Sequence, residues 1–343
     1  MQDIGRGIKY KNDVIKPPSS YLGVQLKEKK LPNGRKCWSL SSDKYVNAAI
    51  SNVDNSVKRK GRKVPNKVKN PMTSDFVPEL DTSSELNKED VTFYQELIGI
   101  LRWATELGRA DILYEVSILS QYQASPREWH LNELLHIFGY LKKKPKLSIY
   151  MDPILPNIDY SDFKTNPQDF SEYYLDAQEQ FPHDMPKPRG SQVSITAFVD
   201  ASFAQNKKTR KSHTGFIIFV NRAPIVWFSK RQSTVETSTF SAEFMAMKSC
   251  VSAIESLRYK LRMFGVPIEG PVHIYCDNES VVYNSNKVES TLDKKHNSLA
   301  YHYVRNAVAA LVVTVAWINR NDNLADAFTK RLPVVTRNHL FGN

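Results

Sequence analysis

Four acidic residues, Asp200, Glu243, Asp277 and Asp326, sit in contexts that can bring them together: AFVDAS, SAEFMAMK, YCDNES and NLADAFTK. An Asp closing an apolar strand, a Glu on a helix, a second strand-closing Asp and a late Asp opening a helix can meet at one edge of a sheet. Grouped carboxylates repel one another unless cations lie between them, so such a meeting implies a pair of hard metal ions. Two such ions clamp the attacking and leaving oxygens of a phosphodiester and lower the pKa of the attacking water. The order Asp, Glu, Asp, Asp therefore points at a nuclease.

Each carboxylate alone has a plainer reading. Glu243 lies three after Phe240, four before Met247 and seven before Cys250, on a face of buried-type residues. A carboxylate there is costly unless paired or bound to metal, or unless it sits on the shoulder of the stripe with its head in water. Asp200 and Asp277 each follow a strand, where Asp is common turn chemistry. Asp326 would suit the start of a helix through the dipole alone. The weight rests on all four falling in one α/β arrangement.

The elements that must position them are legible as periodicities. Residues 191–335 predict strands at 193–199, 215–220, 224–229, 272–276 and 312–318. A long helix spans 239–264, stopped by Gly265 and Pro267. Further helices are expected after Asp277, over 296–308 and from about Leu324. Upstream, SYLGVQL and CWSLS form a hairpin around Pro32, Asn33 and Gly34, followed by a helix from near Asp43 and a basic loop from Lys58 to Lys69. Residues 91–141 read as three helices broken at Gly108 and at Ser125–Pro126, the third ending in Lys142, Lys143 and Lys144. The organisation expected is thus 1–70, helical 71–150, a linker or insertion at 151–190 rich in Pro, Asp and Glu, the α/β unit at 191–335, and a tail at 336–343.

Composition narrows the partners. A formal net charge of +11 favours a polyanion such as nucleic acid, and 41% hydrophobic residues suffice for real cores. Three cysteines without a CxxC pair support neither a disulfide framework nor a thiolate zinc site. The run NAVAALVVTVAWIN is shorter than the roughly 20 apolar residues a bilayer needs, and MQDIGRGIKYKND lacks the apolar core of a secretion signal. Cytoplasm or nucleus follows as the expected location.

The segments FVDASFA, TRKSHTGFIIFVNRAPIVWFSKRQST, SAEFMAMK, IYCDNES, YHYVR and NDNLADAFTKRLP are dense and collinear. Together they resemble the ribonuclease H domain at the end of a copia-type retrotransposon polyprotein, across 193–333. Residues from Tyr94 to Pro153 resemble that family's connection between polymerase and nuclease, and SYLGVQL with SSDKYV the end of its palm and start of its thumb. The resemblance implies a ribonuclease H-like mixed sheet flanked by helices, preceded by a mainly helical thumb and connection. It implies magnesium-dependent cutting of the RNA strand of an RNA–DNA hybrid, with two Mg2+ (Mn2+ also serving) held by Asp200, Glu243, Asp277 and Asp326. The remainder of the polyprotein would be a partner, and a cytoplasmic virus-like particle a setting. A hybrid is gripped through its groove shape, its 2′-hydroxyls and its phosphates. Lys207, Lys208, Arg210 and Lys211 form one basic group for that grip, Lys230 with Arg231 a second, and Lys142 to Lys144 a third; a solvated charged face is the alternative.

The chain departs from the pattern in places. Lys295–His296 is followed by Asn297 and Ser298 where the family usually has an acidic residue. Position 316, about ten before the last Asp, is Ala where related enzymes often carry a His. No Asp–Asp dipeptide of a polymerase palm occurs, so DNA synthesis is not expected and a fragment or truncated product is. Competing readings are a degenerate remnant that binds nucleic acid without cutting, and a strand transferase of the integrase type. The latter is disfavoured because Glu243 precedes Asp277. His213, His296 and His302 are candidate proton carriers, each also explicable as structural.

Overall fold

The computed structural model describes residues 19–31, 33–66, 68–163, 169–290 and 298–341. Pro32 and the Lys295–His296 pair lie outside these residues. The hairpin expected near the N-terminus is present but subdivided into β1 (Ser20–Tyr21) and β2 (Val24–Lys30), paired with β3 (Lys36–Ser41). Gly23, at φ 93°, makes the extra turn that splits SYLGVQL, a conformation that costs glycine little. A fourth strand, β4 (Ser148–Met151), pairs with β3 from more than a hundred positions away, which no local pattern announces.

Helix α1 (Asp43–Arg59) follows, then α2 (Lys88–Glu106), α3 (Leu113–Leu119) and α4 (Glu128–Lys143). The Asn87 side chain caps α2 by accepting from the Asp90 amide at 2.9 Å. The helices bury Leu97, Leu101, Val116, Leu134 and Phe138 in one core. Gly108 separates α2 from α3 at φ 105°, and a Cβ there would come within 2.8 Å of Ile149 Cδ1 on β4.

The second sheet runs β7-β6-β5-β8-β9, with β5 (Ile195–Ser202), β6 (His213–Val220), β7 (Ala223–Arg231), β8 (Val272–Cys276) and β9 (Val313–Trp317). Strands β5, β6 and β7 are antiparallel neighbours, whereas β8 and β9 run parallel to β5. Strict alternation on β5 sends Ile195, Ala197, Val199 and Ala201 toward α5 (Thr239–Met263) and its neighbours α6 (Glu279–Asn286) and α7 (Ser298–Ala309). Phe198 faces the other side, against Ile217, Trp227 and Phe328. The fold is therefore α/β, a mixed five-stranded sheet flanked by helices and preceded by a mainly helical region. Among the described residues no helix is long and apolar enough to cross a membrane.

Three details differ from expectation. The last helix does not start at Leu324: Leu324–Phe328 is a 3-10 turn, and α8 (Val334–Phe341) begins only after Pro333. Two side-chain tethers explain the tight turn, Asn323 Nδ2 donating to Val199 O at 2.9 Å and the Thr329 hydroxyl donating to Asp200. Consequently 336–343 is no tail, since α8 occupies most of it and buries Arg337. The described residues of 151–190 have little regular structure yet are fastened to the sheet's helical face: Glu179 takes Arg258 at 2.7 Å and Arg262 at 2.6 Å.

Candidate active site

Asp200 lies two residues before the end of β5, inside the strand rather than just after it as the sequence suggested. Its side chain shares the face of Phe198, the face covered by the 3-10 turn that bears Asp326. Gly215 is its partner on β6, and a Cβ there would stand 2.6 Å from Thr329 Cγ2 and 2.8 Å from Phe328 Cβ. Only glycine lets that turn approach the strand. Glu243 comes from the second turn of α5, whose start is capped by Ser238 accepting from the Ser241 amide at 3.2 Å. Asp277 follows β8 directly, and Asn278 beside it caps α6 by accepting from the Val281 amide at 3.2 Å.

The four predicted carboxylates do meet. Oxygens of Asp200, Asp277 and Asp326 lie within 4.8 Å of one another, and Glu243 stands within the same distance of Asp277. Asp200, Glu243 and Asp277 line an open cleft of about 430 Å³ together with Asn278, Arg320 and Lys330. Glu243 is 4% exposed, so its head is not in bulk water. One of its oxygens takes the Ala201 backbone N–H, while Oε2 is buried with no hydrogen-bond partner. Asp326 Oδ1 takes the Lys330 ammonium at 2.5 Å, and the Thr329 hydroxyl donates to Asp200 Oδ2.

Burial, then the charges of Asp200 and Asp277, push the Glu243 carboxyl well above the ordinary carboxylate range. Burial also raises Asp200; the Thr329 hydroxyl offsets part of the rise and Asp326 adds to it. Asp277 is raised by burial and by Asp200. Such a cluster is strained as it stands. An all-oxygen donor set with an orphaned buried carboxylate oxygen suits a hard divalent cation. Cys276 is near Glu243 and Asp277, but burial holds its thiol protonated, and thiols are poor donors to such ions.

The basic groups are dispersed. Lys207, Lys211 and Arg231 line a hollow of about 280 Å³ shared with Tyr114 and Tyr122 of the helical region. Lys208, Arg210 and Lys230 are exposed. Of the lysines ending α4, Lys142 is spent on Asp54 at 2.5 Å and Lys144 donates to Asn338, which leaves Lys143 exposed. His213 is buried, 2.8 Å from Ser229 Oγ, with its pKa pushed down to about 3, so it is a neutral structural residue. His302 pairs with the Tyr174 hydroxyl at 2.9 Å, and Ala316 is buried in β9. The sequence reading passed over Thr329, Lys330, Asn323 and Arg320. Lys330 had a signal, its four-residue spacing from Asp326; the Thr329 contact to Asp200 had none.

No protein-family model matches the chain. It is 28% identical over 264 residues to the retrovirus-related Pol polyprotein from transposon RE1 of Arabidopsis thaliana, covering 76% of this chain and 16% of that protein. With the Pol polyprotein from transposon TNT 1-94 of Nicotiana tabacum it shares 24% identity over 340 residues, 97% of this chain and 22% of that protein. The chain thus spans less than a quarter of the length of these relatives. Among solved structures it is similar to LC11-RNase H1 in complex with RNA/DNA hybrid, at 15% identity, 40% of this chain, 94% of that one and TM-score 0.32. It is also similar to the foamy viral protease-reverse transcriptase in complex with RNA/DNA hybrid, at 12% identity, 71% of this chain, 50% of that one and TM-score 0.31. Over most of its length, then, this chain is similar to retrovirus-related Pol polyproteins of transposons.

Proposed function

We propose that the chain is the ribonuclease H part of a Pol polyprotein, a divalent-metal-dependent endonuclease acting on the RNA strand of RNA–DNA hybrids. The observation that carries this reading is the grouping of Asp200, Asp277 and Asp326, with Glu243 beside Asp277, three of the four lining one cleft, and a buried Glu243 oxygen without a hydrogen-bond partner among the described residues. These four residues would hold two Mg2+ or Mn2+. When bound, the ions supply charge for the developing phosphorane oxygens and a more acidic attacking water. The protein's own part is positional. Thr329 orients Asp200, Asn323 ties the Asp326 turn to β5, and Lys330 neutralises part of the cluster. Labelled hybrid incubated with purified chain, with and without Mg2+, tests the reading. RNA-strand fragments appearing only with metal support it. Binding without cutting in Mg2+ or Mn2+ would favour the non-cutting remnant instead.

Charge repulsion in the cluster predicts a pH-dependent metal response. Asp200, Glu243 and Asp277 all titrate above their unfolded values, so the folded state holds extra protons and their contribution to stability falls as pH rises through that window. Carboxylates held low, such as Glu128 and Glu179, act with the opposite sign, so the parent must be compared with Glu243→Gln. In EDTA, the melting temperature of Glu243→Gln relative to the parent should rise between pH 5 and 7.5. Magnesium should stabilise the parent more at pH 7.5 than at pH 5, and the variant less than the parent. Equal responses of both proteins at both pH values would exclude a metal role for Glu243.

Grip through the end of α4 makes a narrower prediction. Lys143→Ala with Lys146→Ala should lower the log–log salt slope of hybrid binding by about 1–2, leaving the cleavage pattern unchanged. Lys142→Ala and Lys144→Ala should add little, because those two are already partnered. Fluorescence anisotropy across a salt series measures this, and an unchanged slope in the Lys143/Lys146 double variant would make the cluster mere solvated surface.

A further inference from the structure

The carboxylate cleft presents a difficulty for a phosphodiester, because three acids line the place it must occupy and Asp326 stands beside two of them. Two cations line the same cleft, Lys330 and Arg320. Lys330 is committed to Asp326 at 2.5 Å. Arg320 is exposed and, among the described residues, no ion pair or side-chain hydrogen bond engages its guanidinium, although it stands near enough to Asp277 to favour that residue's charged form. It is the uncommitted cation of the cleft.

Its backbone is nevertheless held. Arg320 opens the short 3-10 turn Arg320–Asp322, where the Asn319 side chain accepts from the Asn321 amide at 3.0 Å. Before that turn, the Trp317 indole donates to the Asp277 carbonyl at 3.2 Å. After it, Asn323 donates to Val199 O at 2.9 Å and accepts from the Ala325 amide at 3.1 Å. The loop is thus moored to β5 and to the residue that follows β8. Only the side chain must be ordered on contact, which keeps the entropic cost of engaging a ligand low. A guanidinium fork matches two phosphate oxygens in one plane, which an ammonium cannot do.

We propose that Arg320 is a substrate-positioning residue that receives non-bridging oxygens of the nucleic-acid phosphate lying over the four carboxylates. The inference rests on the nuclease reading above and assigns that site its phosphate contact. It separates Arg320 from the general basic surface, because its charge acts at the cleft rather than along the flanks.

Binding of an RNA–DNA hybrid to the full chain, with Ca2+ in place of Mg2+ and followed by fluorescence anisotropy over a salt series, tests this without depending on cleavage. Arg320→Gln should weaken binding about tenfold at low salt, as loss of a charge-assisted contact implies, and should lower the log–log salt slope by about 1. Arg320→Lys should restore the slope but only part of the affinity. Arg222→Gln removes the same charge from the exposed β6–β7 turn and should change neither. Parental affinity and slope in Arg320→Gln would overturn the proposal, as would an equal loss in Arg222→Gln. Failure of the nuclease reading is distinguishable, since in that case the unmutated chain cuts no hybrid in Mg2+ or Mn2+ at all.

Discussion

Asp277→Asn should stop the hydrolysis of hybrid RNA while leaving hybrid binding close to the parental value. The substitution keeps the shape of the side chain and removes its negative charge. Asp277 belongs both to the group it forms with Asp200 and Asp326 and to the one it forms with Glu243, so its charge is central to any cation held there. Loss of several kcal/mol of transition-state stabilisation corresponds to a drop of roughly a thousandfold or more in rate. On the proposed reading binding rests instead on basic side chains and on groove shape, and removing a negative charge from the cleft can even tighten it. Single-turnover cleavage beside anisotropy on the same preparation measures both quantities. Cutting at the parental rate would remove Asp277 from the catalytic set. A parallel loss of binding would show instead that the substitution disturbs the fold of the cleft.

The second large effect concerns the C-terminal helix and lies away from the chemistry. Arg337 on α8 is 2% exposed and donates to Glu115 Oε1 at 2.5 Å and to the Asp111 carbonyl, deep in the helical region. Asp111 in turn pairs with Arg109 at 2.7 Å, so two ion pairs share one dry pocket. Burial raises the Glu115 carboxyl, and the Arg337 charge opposes that rise. Arg337→Met should therefore cost about 3–5 kcal/mol, because it leaves a buried carboxylate without its counter-charge. Adding Glu115→Gln should recover a substantial part of that loss, since the stranded charge is then gone. Urea unfolding of the parent, the two single variants and the double variant measures the coupling. Simple additivity of the two single effects would mean that the pair is not an energetic unit.

The α/β unit was largely legible because its signals are local. Two-residue alternation on β5, β6 and β7, the apolar stripe of α5 and its Gly265–Pro267 stop are written in neighbouring residues and survive any tertiary context that buries one face. The same holds for Asp200, Glu243 and Asp277, each of which sits where a predicted strand or helix places it. Asp326 was identified on its motif, but its setting was not. A helix was the reasonable local choice for LADAFTK, yet the segment is a tight turn because Thr329 reaches Asp200 and Asn323 reaches Val199, contacts that span more than 120 positions of sequence.

Sequence also determined which residue types would be available to do chemistry, and their order along the chain. It did not determine how that charge is apportioned. Lys330 is consumed by Asp326, Lys142 by Asp54 and Arg337 by Glu115, whereas Arg320 is left free at the cleft. No composition or periodicity separates these cations from one another, because an arginine or lysine reads the same until its neighbours in space are known. Burial decides the rest. The same Glu243 that could have kept its head in water is enclosed between α5 and the end of β5, where an unpartnered oxygen has a cost that a bound cation would relieve. The setting of Asp200, with Asp326 beside it, depends on a glycine at 215, a turn pinned by a threonine and a sheet formed by strands distant in sequence. Only the folded chain brings those three together.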